Sequence, residues 1–315
     1  MNEYFKSVIV QATGASALSD QEIVQELWSG YGHITRVFLK GGSRKSVMVK
    51  HIQLASDTNH PRGWNTDIGH QRKLTSYRVE TKWYDSYSRQ SLARLPHCLA
   101  IDHHEDDVFI VLEDLDEAGF SIRKHSVNWE DVVICLNWLA AFHASYLGKN
   151  PDGLWDIGTY WHLDTRPQEL RALKDQRLKR AAPLIDEKLS SCTYQTIVHG
   201  DAKLANFCFS GDGNVAGLDF QYVGGGCGMK DVAYFIGSCL DEDDCERLEA
   251  KILDTYFERL REELEERNEE LEREWRSMYR VAWADFHRFL KGWSPGHWKI
   301  NSYSERVTDE VIQNL

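Results

Sequence analysis

A short stretch of the sequence, residues 196–221, contains three Asp and the amide of Asn206 among short apolar runs. Asp201 comes directly after "TIVHG", Asn206 follows five residues later, and Asp219 lies 18 residues beyond Asp201. Phosphoryl transfer from ATP needs a carboxylate near the attacking hydroxyl and oxygen ligands for Mg²⁺ between the phosphates. We therefore interpret Asp201 as the group that orients or deprotonates the hydroxyl, and Asn206 and Asp219 as ligands of Mg²⁺.

The segments "HGDAKLAN" (199–206) and "DFQ" (219–221) resemble the HGDxxxxN and D[FW][DEQ] pair of the aminoglycoside phosphotransferase and choline kinase superfamily. The "DFQ" ending and the upstream "EDLDEAGF" are most similar to its ecdysteroid-kinase-like branch. The resemblance runs from about residue 28 to residue 290 and is most specific in the catalytic segment. It implies an α+β, two-lobed, protein-kinase-like fold.

In that fold, residues 1–115 are expected to form a strand-rich lobe that binds the nucleotide. Residues 116–315 are expected to form a mainly helical lobe that holds the catalytic loop and the acceptor site. This division of the chain agrees with its two patterns, because the first part is rich in β-prone runs and the second in long helical repeats.

Three more residues of the catalytic segment take roles from the resemblance. Lys203 stands where the superfamily more often has His or an aromatic residue, and it matches the Lys of the protein-kinase loop "HRDLKxxN". We predict that Lys203 stabilises the transferring phosphoryl group, the alternative being a solvent-facing Lys. His199 is expected to be a scaffold residue within the loop. Asp231 in "MKDVAYF" is expected to cap the helix that begins there, and to brace the loop.

The elements that must hold the nucleotide are predicted upstream. Residues 34–39 and 46–52 are β-prone runs joined by "KGGSRK", which predicts a hairpin. "SVMVK" places Lys50 at the end of an apolar strand, as in the "VAIK" strand of kinases, and implies that it holds the α- and β-phosphates. Its expected partner is Glu80 on a predicted helix within residues 72–88. The alternative for Lys50 is an exposed Lys at a strand end.

Two backbone segments complete the predicted nucleotide site. "GYGHITRV" is interpreted as the loop over the phosphates, where Gly30 and Gly32 allow close backbone approach, although a plain turn fits equally well. "VFIVLEDL" (108–115) is interpreted as a hinge strand, with backbone groups of Glu113 and Leu115 facing adenine.

Other segments have simpler patterns. Residues 20–29 predict either a helix or an irregular strand, and residues 55–71 predict a polar, mobile stretch. Residues 242–290 contain no Pro or Gly and predict continuous helix. "YVGGGCG" (222–228) lies where protein kinases have an activation loop; its four glycines predict a free loop, too short for a protein-substrate platform.

The composition limits partners and location. The net charge of −12 argues against a general nucleic-acid binder. Seven Cys without a CxxC pair favour reduced thiols in the cytoplasm, and no apolar run is long enough to predict a membrane span. The start of the sequence shows no signal-peptide pattern. Either a monomer or a homodimer agrees with the sequence.

Together these patterns predict an ATP- and Mg²⁺-dependent kinase whose partner is a small-molecule alcohol. The acceptor stays open between a hydrophobic alcohol, an amino alcohol or quaternary amine, and an aminoglycoside-like polycation. The aromatic residues 275–298 either pack in the core or line the acceptor pocket, where Asp285 would suit a quaternary amine. The alternatives are a nucleotide-binding pseudokinase or scaffold, and a metal-dependent hydrolase that would need further ligands near Asp219.

Overall fold

The structure of the chain is a computed structural model, and it describes residues 3–27, 30–53, 67–264 and 268–315. The strands are β1 (Ala17–Glu26), β2 (Gly32–Lys40), β3 (Ser46–Gln53), β4 (Cys98–His104), β5 (Asp107–Glu113), β6 (Thr196–Val198), β7 (Phe207–Phe209), β8 (Val215–Gly217) and β9 (Gly224–Gly226). The helices are α1 (Glu3–Thr13), α2 (Asp67–Ser86), α3 (Trp129–Ser145), α4 (Pro167–Ala172), α5 (Gln176–Ser190), α6 (Met229–Cys239), α7 (Glu242–Glu263), α8 (Glu269–Trp293) and α9 (Ser302–Gln313).

The first five strands form one antiparallel sheet in the order β1-β2-β3-β5-β4. Side chains alternate between its two faces, as strand geometry requires. Val47 and Val49 face α1, where they pack with Phe5. Lys50 therefore points to the opposite face, toward α2. Its register neighbours are Ile34 on β2 and Ile110 on β5, so the lysine lies in the middle of the sheet.

The predicted hairpin of residues 34–39 and 46–52 is confirmed by the pairing of β2 with β3. Of the two interpretations of residues 20–29, the irregular strand is correct, because β1 pairs with β2 through two register shifts. This edge strand is almost entirely exposed, and its acidic residues oppose pairing with another sheet edge. The predicted mobile stretch of residues 55–71 falls outside the described residues up to residue 66, and from Asp67 onward it is helical.

The rest of the chain is mainly helical. Helix α3 packs against α7, and α8 packs against α5, α6 and α9 around one large hydrophobic core. The predicted continuous helix of residues 242–290 is in fact two helices. The α7 helix ends before Leu264, and α8 begins after Asn268, whose side chain accepts the Leu271 N–H at 2.9 Å. Charge patterning alone could not place this break, because capping by an Asn is a local hydrogen-bond effect.

The glycine-rich segment 222–228 is not a free loop, contrary to the sequence prediction. Gly224–Gly226 form β9, which pairs with β6. A Cβ on Gly224 would lie 2.2 Å from the carbonyl oxygen of Trp155. Glycine is therefore present here because another segment of backbone packs against the strand, and not because the strand needs freedom.

The α+β, two-lobed fold is confirmed, with a strand-rich N-terminal part and a helical C-terminal part. The division at residue 115 stays a prediction; β5 ends two residues before it. None of the helices that the structure describes combines the length and the apolar character of a membrane span.

Candidate active site

The segment of residues 199–206 follows the buried strand β6 and is held by Asp231; we call it the catalytic loop after its predicted role. The Asp231 carboxylate accepts the backbone N–H groups of His199 at 2.5 Å and Gly200 at 2.9 Å. It also accepts Nε2 of His143 at 3.1 Å. The predicted N-cap role is wrong, because Gly228 occupies the cap position and Asp231 lies in the first turn of α6. The predicted bracing of the loop is what the hydrogen bonds show.

His199 and Gly200 fix the shape of this loop. The His199 ring accepts the Asp201 N–H at Nδ1 at 3.2 Å, so its proton is on Nε2, which donates to the Leu218 carbonyl at 3.0 Å. Gly200 has a φ of +79°, and a Cβ there would lie 2.1 Å from the Tyr222 carbonyl oxygen. Only glycine satisfies both conditions. The expected scaffold position of His199 agrees with these contacts.

Asp201 is a buried carboxylate with hydrogen-bond donors on both oxygens. Oδ2 accepts Lys203 Nζ at 2.9 Å and Asn206 Nδ2 at 3.1 Å. Oδ1 accepts the Tyr234 hydroxyl at 3.1 Å. Burial raises the pKa of Asp201 above its usual range, against the opposing effect of Lys203, and Asp219 raises it further. A carboxylate with a raised pKa is better suited to accept a proton than an exposed one.

Asn206 and Asp219 both act on Asp201: Asn206 hydrogen-bonds to it, and Asp219 raises its pKa. Asn206 Nδ2 donates to the Asp201 carbonyl at 2.8 Å, so the amide oxygen points away from Asp201. Asp219 comes two residues after β8 ends, in a left-handed conformation with a φ of +70°. Burial raises the pKa of Asp219, but Lys50, Lys73 and other nearby cations outweigh it and hold the pKa below its usual range.

Lys50 and Glu80 form the predicted ion pair. Nζ of Lys50 lies 2.5 Å from Oε2 of Glu80, and both side chains are buried. The alternative of an exposed strand-end Lys is therefore wrong. Lys50 also lowers the pKa of Asp219. Residues from β3, α2 and the segment after β8 therefore form one charged cluster. The roles proposed for these residues in binding a nucleotide stay predictions.

Lys73 belongs to the same cluster and was missed by the sequence analysis. Its Nζ donates to Oε1 of Gln221 at 2.8 Å, while Nε2 of Gln221 donates to Asp219 at 2.9 Å. Burial and the neighbouring Lys50 lower the pKa of Lys73 to about 8. The signal was present in the spacing, since Lys73 lies seven residues, or about two helical turns, before Glu80 on α2.

The two predicted glycines lie beside the strand that carries Lys50. Gly30 and Gly32 have φ values of +74° and +120°, which are accessible chiefly to glycine. Gly32 pairs with Ile52, and a Cβ on it would lie 2.0 Å from the His51 carbonyl oxygen. Residues 28 and 29 of the same loop lie outside the described residues.

The predicted hinge lies at the end of β5. The Glu113 N–H donates to the His97 carbonyl at 2.9 Å, and the Leu115 carbonyl accepts the Phe120 N–H at 2.8 Å. The Glu113 side chain does not face a nucleotide site; it binds Arg94 at 2.7 Å. The carbonyl of Glu113 and the N–H of Leu115 therefore remain our prediction for contacts with adenine.

The predicted aromatic segment divides between the core and the neighbourhood of Asp201. Its first three aromatic residues, Trp275, Tyr279 and Trp283, are buried in the large core. Its last two, Trp293 and Trp298, are about half exposed. Phe286 and Phe289 instead pack in a separate cluster with Trp161 and Tyr234. The Tyr234 hydroxyl also lies 3.3 Å from that of Tyr160. Two tyrosine hydroxyls thus extend from Asp201 into an aromatic cluster.

The sequence, with Asp201, Asn206 and Asp219 in this order, also matches a family model. The sequence matches the ecdysteroid kinase-like family over residues 40–150 and 157–269, more than half of the chain. The chain belongs to the ecdysteroid kinase-like family. No curated protein sequence matches the chain.

Two solved structures show the fold that this ecdysteroid kinase-like chain adopts. Amicoumacin kinase hAmiN, in complex with AMP-PNP, Ca²⁺ and Ami, is 12% identical with a TM-score of 0.58, covering 100% of this chain and 93% of that one. Macrolide 2′-phosphotransferase MphH from Brachybacterium faecium is 11% identical with a TM-score of 0.54, covering 98% of this chain and 97% of that one. Both confirm the kinase-like fold.

The donor set of the site suits a cation that binds together with phosphates. Among the described residues, no group of three or more His, Cys, Asp or Glu is arranged to hold a metal by itself. The carboxylate of Asp219 and the amide oxygen of Asn206 are hard oxygen donors. Mg²⁺ is usually bound by one or two carboxylates plus substrate phosphates, so these residues fit that cation. The further ligands that the hydrolase alternative needs near Asp219 are not found in the described part of the chain.

Proposed function

We propose that the chain transfers the γ-phosphoryl group of ATP to a hydroxyl group of a small molecule, with Mg²⁺ as cofactor. The observation that supports this proposal most strongly is the arrangement around Asp201. One carboxylate receives Lys203 and Asn206 on one oxygen and Tyr234 on the other, while Asp219 is close enough to raise its pKa. An acid, an amide and a second acid at one place match what phosphoryl transfer requires.

In the proposed reaction the acceptor oxygen attacks the γ-phosphorus. The bond from that oxygen to phosphorus forms as the bond from phosphorus to the β,γ-bridging oxygen breaks. Asp201 takes the proton of the attacking hydroxyl, and the products are a phosphate monoester and ADP. The Tyr234 hydroxyl holds Oδ1 of Asp201 in place.

Lys203 is proposed to stabilise the transferring group. Its Nζ lies 2.9 Å from Oδ2 of Asp201, and 38% of its side chain is exposed. The ammonium is therefore held beside the proposed base and remains partly exposed to solvent. A preorganised cation near developing negative charge lowers the barrier without the cost of reorienting solvent.

The nucleotide is proposed to lie against β2 and β3. Lys50, held by Glu80, would bind the phosphates, and Lys73 adds a second cation that the sequence analysis did not predict. Gly30 and Gly32 would let the backbone of this loop approach the phosphates closely.

Asn206 and Asp219 are the residues proposed to hold Mg²⁺. A bound Mg²⁺ neutralises the developing charge on the phosphate oxygens. The protein orients both ligands: the Asn206 amide is fixed by its donation to Asp201, and Asp219 is fixed by Gln221. The Gln221 contact leaves one carboxylate oxygen of Asp219 without a hydrogen-bond donor among the described residues.

The test is ATP consumption and phosphate-ester formation against a panel of alcohols. Asp201→Asn should lower turnover by at least about 100-fold, because a positioned general base contributes roughly 10²- to 10⁴-fold. Asp212→Asn is the matched control, because Asp212 is an exposed acid in the turn between β7 and β8, and it should leave turnover unchanged. Undiminished turnover in the Asp201 variant would remove Asp201 as the base. Binding of ATP without turnover for any alcohol would favour the pseudokinase alternative.

We also propose a cytoplasmic location, because all seven cysteines are free thiols in the structure. The partner is proposed to be a small-molecule alcohol only, bound by a monomer or a homodimer, without nucleic acid or membrane.

A further inference from the structure

Lys299 lies against the aromatic cluster beside Asp201. Its Nζ is 5.4 Å from the ring centroid of Tyr234, 5.6 Å from that of Phe286 and 5.6 Å from that of Trp298. Tyr234 is the residue whose hydroxyl donates to Asp201, so the ammonium lies one aromatic ring away from the proposed base. The sequence analysis did not single out this lysine.

The Lys299 ammonium has no acidic partner within the described part of the chain. The hydrogen bonds of this residue there involve only its backbone N–H and carbonyl groups. Burial and the charge of Lys203 lower its pKa to about 8, against the opposing effect of Asp201. The ammonium is therefore still mostly protonated at pH 7. A cation over aromatic rings without a carboxylate has unused capacity to bind an anion.

The acid that would suit a cationic acceptor is not available. Asp285 is 1% exposed, and its carboxylate binds Arg288 at 2.7 Å and the Trp161 indole N–H at 2.9 Å. A second cation, Arg166, lies 5.7 Å from the Tyr160 ring on the same aromatic cluster, although Glu169 partly balances it at 3.4 Å. Besides the Asp201 carboxylate that Tyr234 binds, the charged groups against the rings of this aromatic cluster are thus the cations Lys299 and Arg166, on a chain whose net charge is −12.

We propose that the acceptor is an alcohol that carries an anionic group on an apolar or aromatic body, and that Lys299 binds this anionic group. The proposal rests on the proposed function only in placing the acceptor hydroxyl at Asp201. It selects against the quaternary amine and the polycation among the three acceptor classes that the sequence left open. Lys299 and Lys203 would repel a cationic group of the acceptor in this partly buried site. A carboxylate of the acceptor would instead gain a charge-assisted hydrogen bond with Lys299.

Three probes of the same shape separate the classes: 4-(hydroxymethyl)benzoate, its methyl ester, and 4-(hydroxymethyl)benzyltrimethylammonium. Binding is measured by calorimetric titration of the enzyme with ADP and Mg²⁺ present, so the result does not depend on turnover. We expect the wild type to bind the anion at least about 10-fold more tightly than the cation. Lys299→Glu should reverse that order, and Lys299→Met should weaken only the anion.

The matched control is Lys251→Glu. Lys251 also lies over an aromatic ring, 4.0 Å from the centroid of Trp129, but on α7. It should leave the order of the three probes unchanged. The same titrations with Asp201→Asn keep the binding of the anion, which separates a failure of the proposed base from a failure of the Lys299 site.

Several results overturn the proposal. Equal binding of the three probes, preference of the wild type for the cation, or no binding of the anion each excludes an anion site at Lys299. An equal loss of all three probes in Lys299→Met shows that the lysine has only a packing role. Thermal unfolding of each variant, which we expect to match the wild type within a few degrees, establishes that the variants are folded.

Discussion

The hydroxyl group of Tyr234 donates a hydrogen bond to Oδ1 of Asp201 at 3.1 Å, and the two residues come from different elements. Tyr234 lies on α6, whereas Asp201 follows β6. The first turn of the same helix contains Asp231, whose carboxylate accepts two backbone N–H groups of the loop. One helix therefore positions both the backbone and the carboxylate of the catalytic loop.

Replacing Tyr234 by Phe removes that hydrogen bond while keeping the ring in its cluster. We expect kcat to fall about 10-fold, corresponding to roughly 1.4 kcal/mol for a hydrogen bond to a charged group, with the KM for ATP unchanged. Tyr160→Phe removes only the contact between the two tyrosine hydroxyls and should have a smaller effect. Steady-state kinetics on both variants measure this. Equal effects of the two substitutions would contradict a special role for Tyr234.

The Lys50–Glu80 pair allows stability and nucleotide binding to be separated. Lys50→Met leaves Glu80 buried without its cation, and we expect the free energy of unfolding to fall by about 3–5 kcal/mol. The double variant Lys50→Met/Glu80→Leu should recover much of that loss, because a buried pair can be replaced by apolar residues.

Denaturant unfolding and titration with an ATP analogue measure the two effects. The double variant should remain weak in nucleotide binding although its stability is recovered. Nucleotide affinity that recovers together with stability would show that Lys50 acts only as a structural partner of Glu80.

Asp231→Ala should unfold the catalytic loop locally. It leaves two buried N–H groups, of His199 and Gly200, without an acceptor, each costing about 1–3 kcal/mol. We expect lower stability and loss of turnover together. Hydrogen exchange of residues 199–201 should accelerate, while the sheet of β2 and β3 keeps its protection. Unchanged exchange in the loop would mean that Asp231 does not hold it.

The affinity for the anionic probe should depend on pH through Lys299. Its pKa of about 8 is below the ordinary lysine value because of burial and Lys203, so the cation is lost as pH rises through about 8. Deprotonation removes the charge that binds the anion, and we expect the dissociation constant to increase above that pH. The other groups that act on Lys299 are Asp201 and Cys239, and burial raises the pKa of the Cys239 thiol far above this range.

Lys299→Arg is the control for this pH effect, because arginine keeps its charge over the whole range. Its affinity for the anion should stay constant between pH 7 and pH 9, as read by the same calorimetric titration. If the dissociation constant for the anion increased equally in the wild type and in Lys299→Arg, the pH effect would belong to another group.

Gly224→Ala tests the close packing of β9. The new Cβ would lie 2.2 Å from the Trp155 carbonyl, and overpacking of this kind costs about 1–3 kcal/mol. Gly211→Ala is the matched control, since nothing lies within 4 Å of a Cβ at that position. Chemical denaturation of both variants is the measurement. Equal stability of the two would show that β9 is loosely packed.

The sequence predicted particular contacts correctly where a local pattern decides the geometry. The spacing of Asp201 and Asn206 fixes their distance, because both lie on one short loop, and Lys50 was found from the apolar strand before it. It failed where distant segments meet. Gly224 looked free because the sequence does not show that Trp155 packs against it, and Asp231 looked like a cap because its partners, His199 and His143, lie far away along the chain.

Lys73 and Lys299 illustrate the same limit for function. Lys73 could have been found from its seven-residue spacing to Glu80 on one helix. Lys299 lies close to the end of the chain, in a segment with no strong periodicity, and only the tertiary fold brings it to the ring of Tyr234. The proposed preference for an anionic acceptor therefore could not be predicted from the sequence.

The packing of β9 has a consequence for how the proposed activity could be controlled. In kinases that are switched by modification, the segment after the metal-binding Asp changes its conformation. Here that segment is a strand of the scaffold, with backbone from Trp155 pressed against Gly224 and Asp156 against Gly225. Rearranging it would require separating β9 from β6 beneath the catalytic loop. We therefore expect the protein to be permanently assembled, so that its rate in the cell follows the supply of ATP and acceptor.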